Sequence, residues 1–167
     1  MAVLFDIREM LMMAVKEEQT GYDYYRFLSQ NAKQDRVKKL AEKFAGVEKH
    51  HEKLFKDLLN SLADFQPTQS YEGEYQAYLF ALMEGRMFPE ENRAELMIET
   101  AKKDDLSAIN IALMFERSTL FLFREIENYI PSKKPQIQEI INRIINEEKG
   151  HLVDLSLLKN ELRQSHF

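Results

Sequence analysis

The sequence has 167 residues, of which 44% are hydrophobic and 31% are charged, a balance typical of soluble globular proteins rather than disordered ones. Its formal net charge of −5 and the lack of a clustered basic face argue against nucleic acid as a partner. Residues 1–10 lack the apolar core of a signal peptide, and no run approaches the roughly 20 apolar residues that span a bilayer. We therefore expect one domain over residues 1–167, located in the cytoplasm, with no membrane partner.

The sequence contains no cysteine and four histidines. Within these residues, the lack of cysteine excludes a disulfide, a thiolate nucleophile, a cysteine-ligated zinc ion and an iron–sulfur cluster. Any metal ion bound by these residues must therefore be held by carboxylate, imidazole or backbone oxygen.

Apolar residues recur at helical spacing along most of the chain. The pattern predicts four long helices: one over residues 3–31, one over residues 35–63, a third that ends near residue 130, and a fourth that follows Pro135 and ends near residue 164. Asp104 or Asp105 is suited to cap the third of them. Between the second and third long helices, residues 71–83 and 89–103 predict short helices. This connection is too long for a tight hairpin, so it predicts a crossover between two antiparallel hairpins.

Two of the long helices carry a glutamate followed three residues later by a histidine: Glu48 with His51, and Glu148 with His151. This spacing places both side chains on one face of a helix, about one turn apart. Each pair falls on the apolar stripe of its helix, where glutamate is almost never left unpaired. Helical bundles build two-metal sites from such pairs. His50 points away from the stripe, and we expect it in solvent.

Each of the other two long helices carries a lone glutamate at a matching height. Glu18 and Glu48 are equidistant from position 33 in the first turn, and Glu116 and Glu148 are equidistant from position 132 in the second. Residues equidistant from the turn of an antiparallel hairpin lie at the same height. If the hairpins pack face to face, six candidate metal ligands converge: Glu18, Glu48, His51, Glu116, Glu148 and His151.

Four carboxylates buried together would carry four negative charges, which two divalent cations would balance. Carboxylate oxygen combined with imidazole nitrogen suits Fe, Mn or Zn better than Mg or Ca. We expect Glu48 and Glu148 to bridge two ions. Each ion then takes one more glutamate and one histidine, Glu18 with His51 and Glu116 with His151. An internal acid–histidine hydrogen-bond network without metal is the alternative.

Three neighbouring residues allow more than one role. Tyr25 lies seven residues after Glu18 and therefore near the expected site, either as a packed tyrosine with a satisfied hydroxyl or as an electron relay. Glu17 and Glu147 are alternatives to their neighbours as ligands. Glu147 lies four residues before His151, a position from which it could support a metal-binding residue.

The segment Glu-Gln-Thr-Gly-Tyr-Asp-Tyr-Tyr, from Glu18 to Tyr25, resembles the Glu-x-x-Gly-x-x-aromatic-Tyr signature of the ferritin-like superfamily, most closely of its rubrerythrin-like branch. The two Glu-x-x-His pairs resemble the motifs of that family's second and fourth helices, and Glu116 matches its third. The resemblance implies an all-α, ferritin-like four-helix bundle. It also implies a non-haem centre of two Fe ions that reacts with O₂ or peroxide.

The chain also departs from the pattern of that family. Full-length rubrerythrins carry a rubredoxin-like module with four cysteines, so here we expect electrons from a separate donor protein. Rubrerythrins typically add a glutamate one turn after the third-helix ligand, where this chain has Thr119, and the remaining six-ligand set is like that of bacterioferritin. Lys49 replaces the haem-ligating methionine of bacterioferritin, so we expect no haem.

The sequence thus predicts a homodimeric di-iron oxidoreductase that reduces peroxide or O₂. Iron binding or storage with ferroxidase activity is the main alternative. A manganese protein like the catalase-type relatives is another, because the ligand types suit both metals. A metal-free bundle that serves as an interaction module is the third.

Overall fold

The computed structural model describes residues 3–4, 7–62, 70–71, 92–130 and 134–164. Within these ranges the elements are, in chain order, β1 (Val3–Leu4), α1 (Ile7–Asn31), α2 (Asp35–Ser61), β2 (Ser70–Tyr71), α3 (Arg93–Ala101), α4 (Asp105–Tyr129) and α5 (Pro135–Gln164).

The four long helices form a bundle of two hairpins. Helix α1 packs along α2, and α4 packs along α5, while α1 lies beside α4 and α2 lies beside α5. The short helix α3 belongs to the crossover and packs against both α1 and α4. This arrangement confirms the predicted all-α, ferritin-like bundle of two antiparallel hairpins joined by a crossover.

Two apolar clusters fill the bundle, one toward each end. The first-turn cluster lies toward the α1–α2 connection and includes Leu28, Phe44 and Leu155. The second-turn cluster lies toward the α4–α5 connection and includes Phe55 and Phe123. Because each fully buried Leu, Ile or Phe side chain contributes about 1.5–3 kcal/mol, these clusters supply a large favourable contribution that offsets the conformational entropy lost on folding. On every long helix the residues between the clusters include buried glutamate or histidine.

Two predicted helix boundaries are wrong. The first helix begins at Ile7 rather than at residue 3, because Val3–Leu4 forms a strand paired antiparallel with Ser70–Tyr71. Tyr71 therefore lies in extended backbone and does not begin the predicted aromatic helix, the rest of which lies outside the described residues. Apolar spacing could not reveal this pairing, because its partner lies far along the chain. Helix α2 ends at Ser61, and the described part of the second predicted short helix is α3.

Helix α4 is the one described helix that is long and apolar enough to cross a membrane by length and composition alone. This finding qualifies the expectation from the sequence that no segment could do so. However, 56% of its most apolar window is buried against the rest of the protein, and the carboxylate of Glu116 is fully buried within this helix. Both features fit the central helix of a bundle.

Two adjacent aspartates at the start of α4 have different partners. Asp104 accepts a hydrogen bond from the backbone N–H of Ser107 at 2.7 Å and is the N-cap, one of the two predicted candidates. Asp105 is buried, and its carboxylate accepts the backbone N–H groups of Lys33 at 2.9 Å and Gln34 at 2.7 Å. Asp105 therefore ties the α1–α2 connection to the start of α4 and fixes the relative height of the two hairpins.

Replacing Asp105 should destabilise the protein more than replacing Asp104. Asp105→Ala leaves two N–H groups in a partly buried turn without their charged acceptor, which should lower the free energy of unfolding by about 1.5–3 kcal/mol. Asp104→Ala removes an exposed cap and should lower it by about 1 kcal/mol. Urea denaturation followed by circular dichroism measures both changes. An equal or smaller loss for Asp105→Ala would contradict the role assigned to its carboxylate.

Candidate metal centre

The six predicted ligands meet in the layer between the two apolar clusters. They form two overlapping groups, and within each group the ligand atoms lie within 4.8 Å of one another. The groups are Glu18, Glu48, His51 and Glu148, and Glu48, Glu116, Glu148 and His151. All six side chains are buried. Glu48 and Glu148 belong to both groups, which is the placement expected of bridging residues. That these side chains bind metal stays a prediction.

Both histidines turn Nδ1 toward the carboxylates. Nδ1 of His51 lies 2.8 Å from Oε1 of Glu148 and 3.7 Å from Oε2 of Glu18. Nδ1 of His151 lies 3.1 Å from Oε2 of Glu148 and 3.4 Å from Oε1 of Glu48. Glu148 thus presents one oxygen to each histidine and lies between the two halves of the cluster.

Gly21 allows α1 to approach the cluster closely. A Cβ atom at this position would lie 2.9 Å from Oε2 of Glu48 and 3.0 Å from Cε1 of Phe115, closer than real Cβ atoms approach an oxygen. A side chain here would therefore have to displace the Glu48 carboxylate, whereas the backbone angles of Gly21 do not call for glycine. The glycine of the sequence signature has a direct steric explanation.

Most of the candidate ligand atoms lack a hydrogen-bond partner among the described residues. They are both carboxylate oxygens of Glu18, Glu48 and Glu148, Oε2 of Glu116, and Nδ1 of His51 and His151. The 2.8 Å approach of His51 to Glu148 does not have the geometry of a hydrogen bond. Buried polar atoms without partners are rare because each one costs free energy. A set of oxygen and imidazole donors turned toward a shared space fits two divalent ions of the Fe, Mn or Zn type.

The carboxylates of the cluster do not share one pKa. Burial, reinforced by the like charges of neighbouring carboxylates, raises the pKa of Glu18 and of Glu48 well above the usual range. The same causes raise the pKa of Glu116 to about 8. Burial also acts to raise the pKa of Glu148, but the two histidines outweigh it and hold that pKa below its usual range. Without metal, Glu116 therefore keeps its proton until the pH approaches about 8.

The pKa values of both histidines are raised, although burial acts to lower them. Burial acts to lower the pKa of His51, but the nearby carboxylates, Glu148 first among them, raise it to about 9. Burial likewise acts to lower the pKa of His151, and Glu116 and Glu148 raise it to about 10. A metal ion must displace these protons, because only neutral imidazole can bind it.

The stability of the metal-free protein should fall as the pH rises above 4.5. The raised pKa of Glu116 contributes stability that is full below 4.5 and lost as the pH rises through about 8. The raised pKa values of the histidines contribute stability that is full below 6.5 and lost as the pH rises through about 9 for His51 and about 10 for His151.

Divalent ions bind the deprotonated ligands, so the stabilisation they bring should instead grow with pH. Thermal unfolding between pH 5 and about pH 8, with chelator and with Mn²⁺, measures both trends. A melting temperature of the chelated protein that rises steadily over this range would contradict the predicted protonation of the cluster.

Tyr25 and Phe44 line one side of the cluster. The buried hydroxyl of Tyr25 donates a hydrogen bond to Oε1 of Glu116, which also lies 3.7 Å from Nδ1 of His151. The ring of Phe44 stacks on His151 with 4.0 Å between ring centroids and meets Tyr25 edge-on. Tyr25 is thus a packed tyrosine with a satisfied hydroxyl, and its use as an electron relay stays a prediction.

Glu17 and Glu147 lie beside the two ligand groups and belong to neither. Glu17 is buried, and its two oxygens pair with Nη1 of Arg93 at 2.7 and 2.5 Å. Oε2 of Glu147 accepts a hydrogen bond from Nε2 of His51 at 2.7 Å, across the interface of α2 and α5. The sequence spacing places Glu147 one turn before His151, but the histidine that Glu147 contacts is His51, on another helix. Spacing along one helix does not show which residues of neighbouring helices lie nearby.

Arg93 is a residue that the sequence analysis missed. It begins α3, is buried, and its guanidinium carbon lies 5.2 Å from the centre of the Phe115 ring. Glu17 and Phe115 immediately precede the candidate ligands Glu18 and Glu116, so Arg93 links the crossover to both helices behind the cluster. The crossover has no clear apolar spacing, so the sequence does not indicate which residues Arg93 contacts. His50, as expected, is exposed.

Gly21→Ala should weaken metal binding, whereas Gly46→Ala should not. The new methyl group at Gly21 must displace the Glu48 carboxylate, and we expect metal affinity to fall about tenfold or more, as when support for a ligand is lost. A Cβ at Gly46 meets nothing within 4 Å, so alanine there should raise helix stability by about 0.5–1 kcal/mol and leave affinity unchanged. Competition with a chromophoric chelator measures both affinities. Equal affinities for the two variants would show that Glu48 does not need the space at Gly21.

Comparison with known proteins adds one finding. The sequence model of the family described as Rubrerythrin matches residues 9–159, which include all six candidate ligands. No curated protein and no solved structure matches the chain.

Proposed function

The chain belongs to the rubrerythrin family, and from that premise we propose that it is a non-haem di-iron oxidoreductase that reduces hydrogen peroxide or O₂. The observation that carries this proposal is the buried layer of four glutamates and two histidines, whose ligand atoms fall into two overlapping groups. Most of those atoms have no partner among the described residues. Such a donor set is suited to two ions that share carboxylates.

The residues of the chain have distinct roles in the proposed centre. Glu48 and Glu148, common to both groups, would bridge the two ions. One ion would add Glu18 and His51, and the other would add Glu116 and His151. Two ferrous ions held there would supply two electrons, which with two protons would convert one hydrogen peroxide molecule to two water molecules as its O–O bond breaks. Zinc could occupy the same donors but has no redox chemistry.

The surroundings of the cluster suit this reaction. Apolar clusters on both sides exclude bulk water from the layer, which strengthens every electrostatic interaction within it. The Tyr25 hydroxyl holds a proton against Oε1 of Glu116, directly beside the candidate ligands. The chain therefore provides a hydrogen-bond donor directly beside the cluster, within a buried layer.

We extend the proposal to the partners of the protein. These 167 residues contain no cysteine, so they cannot form a cysteine-ligated iron site that would pass electrons to the centre. A separate donor protein would then supply them. We also propose a homodimer in the cytoplasm, which size-exclusion chromatography and fractionation of cells would test.

Anaerobic loading with Fe²⁺ tests the proposed function. We expect two Fe²⁺ per chain and, on addition of hydrogen peroxide, oxidation of both ions with one peroxide consumed, followed as ferric absorption in the near ultraviolet. Glu48→Gln removes a shared ligand and should lower the affinity for at least one ion by about 10–100-fold or more. Glu42→Gln removes an exposed charge from the same helix and should behave as the wild type. Failure of the wild type to bind iron, or no oxidation at two ions per chain, would contradict the proposal.

The same preparation separates the alternatives. Iron storage predicts a large assembly and iron uptake far beyond two ions per chain, whereas the proposed centre saturates near two. Elemental analysis of protein purified without added metal distinguishes iron from manganese. The absence of any bound transition metal, together with no uptake on loading, would favour the metal-free interaction module.

A further inference from the structure

The two halves of the cluster repeat each other along the chain but differ in their surroundings. Glu148 and His151 on α5 repeat Glu48 and His51 on α2, and Glu116 on α4 repeats Glu18 on α1. We propose that the two metal positions fill in order: the position of Glu18 and His51 takes the first ion, and the position of Glu116 and His151 takes the second. This inference rests on the proposed two-metal centre.

The first difference lies behind the histidines. Nε2 of His51 donates a hydrogen bond to the Glu147 carboxylate at 2.7 Å. Nδ1, which has no hydrogen-bond partner among the described residues, is then the nitrogen whose electron pair can bind an ion in the cluster. Glu147 precedes Glu148, and the residue that precedes Glu48 on the equivalent helix is Val47, which has no acceptor in its side chain. The ion-pair contacts of His151 with the described residues are all made through Nδ1. Among the described residues, a carboxylate therefore lies behind the imidazole of His51 but not behind that of His151.

A carboxylate behind a metal-binding histidine fixes the tautomer and ring orientation and makes the imidazole a better donor. Loss of such a partner typically costs 10–100-fold in metal affinity. His151 is held differently, by the ring of Phe44 stacked at 4.0 Å. Stacking restrains the ring but adds no electron density to its nitrogen. The His51 position should accordingly bind an ion more tightly.

The second difference lies in the lone glutamates and acts in the same direction. Both oxygens of Glu18 lack a hydrogen-bond partner among the described residues, so both can bind one ion. Oε1 of Glu116 accepts the hydrogen bond of Tyr25, which leaves Oε2 free. The residue that repeats Tyr25 on α4 is Phe123, which has no hydroxyl to offer Glu18. The first position therefore offers one more oxygen that accepts no competing hydrogen bond from the described residues.

The test is to load the metal-free full-length protein with one equivalent of Co²⁺ and locate the ion in crystals by anomalous diffraction. A 10–100-fold difference in affinity predicts an occupancy beside His51 that is about threefold to tenfold higher than that beside His151. Calorimetric titration of the protein with Co²⁺ in solution should resolve two binding steps. The crystallographic ratio depends on which position is filled and not on the stability or activity of the protein.

Two variants of α5 identify the cause. Glu147→Gln keeps the size of a partly exposed side chain but removes its charge, and should bring the two occupancies close to equality. Glu139→Gln removes an exposed charge from the same helix, away from the cluster, and should leave the ratio as in the wild type. Tyr25→Phe frees Oε1 of Glu116 and should raise occupancy beside His151.

Several outcomes would overturn the inference while leaving the two-metal centre intact. They are equal occupancies in the wild type, a first ion beside His151, or an occupancy ratio unaffected by Glu147→Gln. Cobalt at neither position would instead contradict the two-metal centre, and the order of filling would fall with it.

Discussion

Four carboxylates buried in one layer of the bundle impose the constraint on which the rest of the structure depends. Taking a carboxylate out of water costs several kcal/mol, and four together repel one another unless they hold protons or bind cations. The layer persists because apolar clusters above and below it stabilise the helices independently of the charges. The same clusters keep water away, so protons and metal ions are what remains to balance the charge.

The repeated hairpin explains how one short chain assembles such a layer. Each hairpin brings a lone glutamate level with a Glu-x-x-His pair, and packing two hairpins face to face doubles the set. The candidate ligands follow this repeat closely, but the residues around them do not. Gly21 makes space for Glu48, whereas Thr119 occupies the equivalent position on α4. Residues outside the candidate ligand set can therefore give the two halves different properties without changing the four glutamates and two histidines.

The sequence predicts the parts of this structure that follow from a local period. Apolar spacing located the four long helices, and equal distances from the two turns brought Glu18 and Glu116 into the cluster. The contacts it missed join segments far apart in the chain. The pairing of Val3 with Tyr71 and the ion pair of Glu17 with Arg93 are examples. A helical period shows which face of a helix is buried, but it does not show which residue lies opposite.

The other buried acids differ from the four glutamates of the layer in the partners that they have. Among the described residues, Glu17 pairs with Arg93, and Glu52 is held by Lys49, Lys56 and Gln19. Asp105 accepts two backbone N–H groups. Each of these acids thus has a cation or N–H donors of its own, as burial requires. The acids of the layer differ, since Glu18, Glu48, Glu116 and Glu148 share two histidines and one tyrosine hydroxyl among the described residues. Among the described residues, then, the other buried acids have partners of their own, whereas most oxygens of these four carboxylates have none.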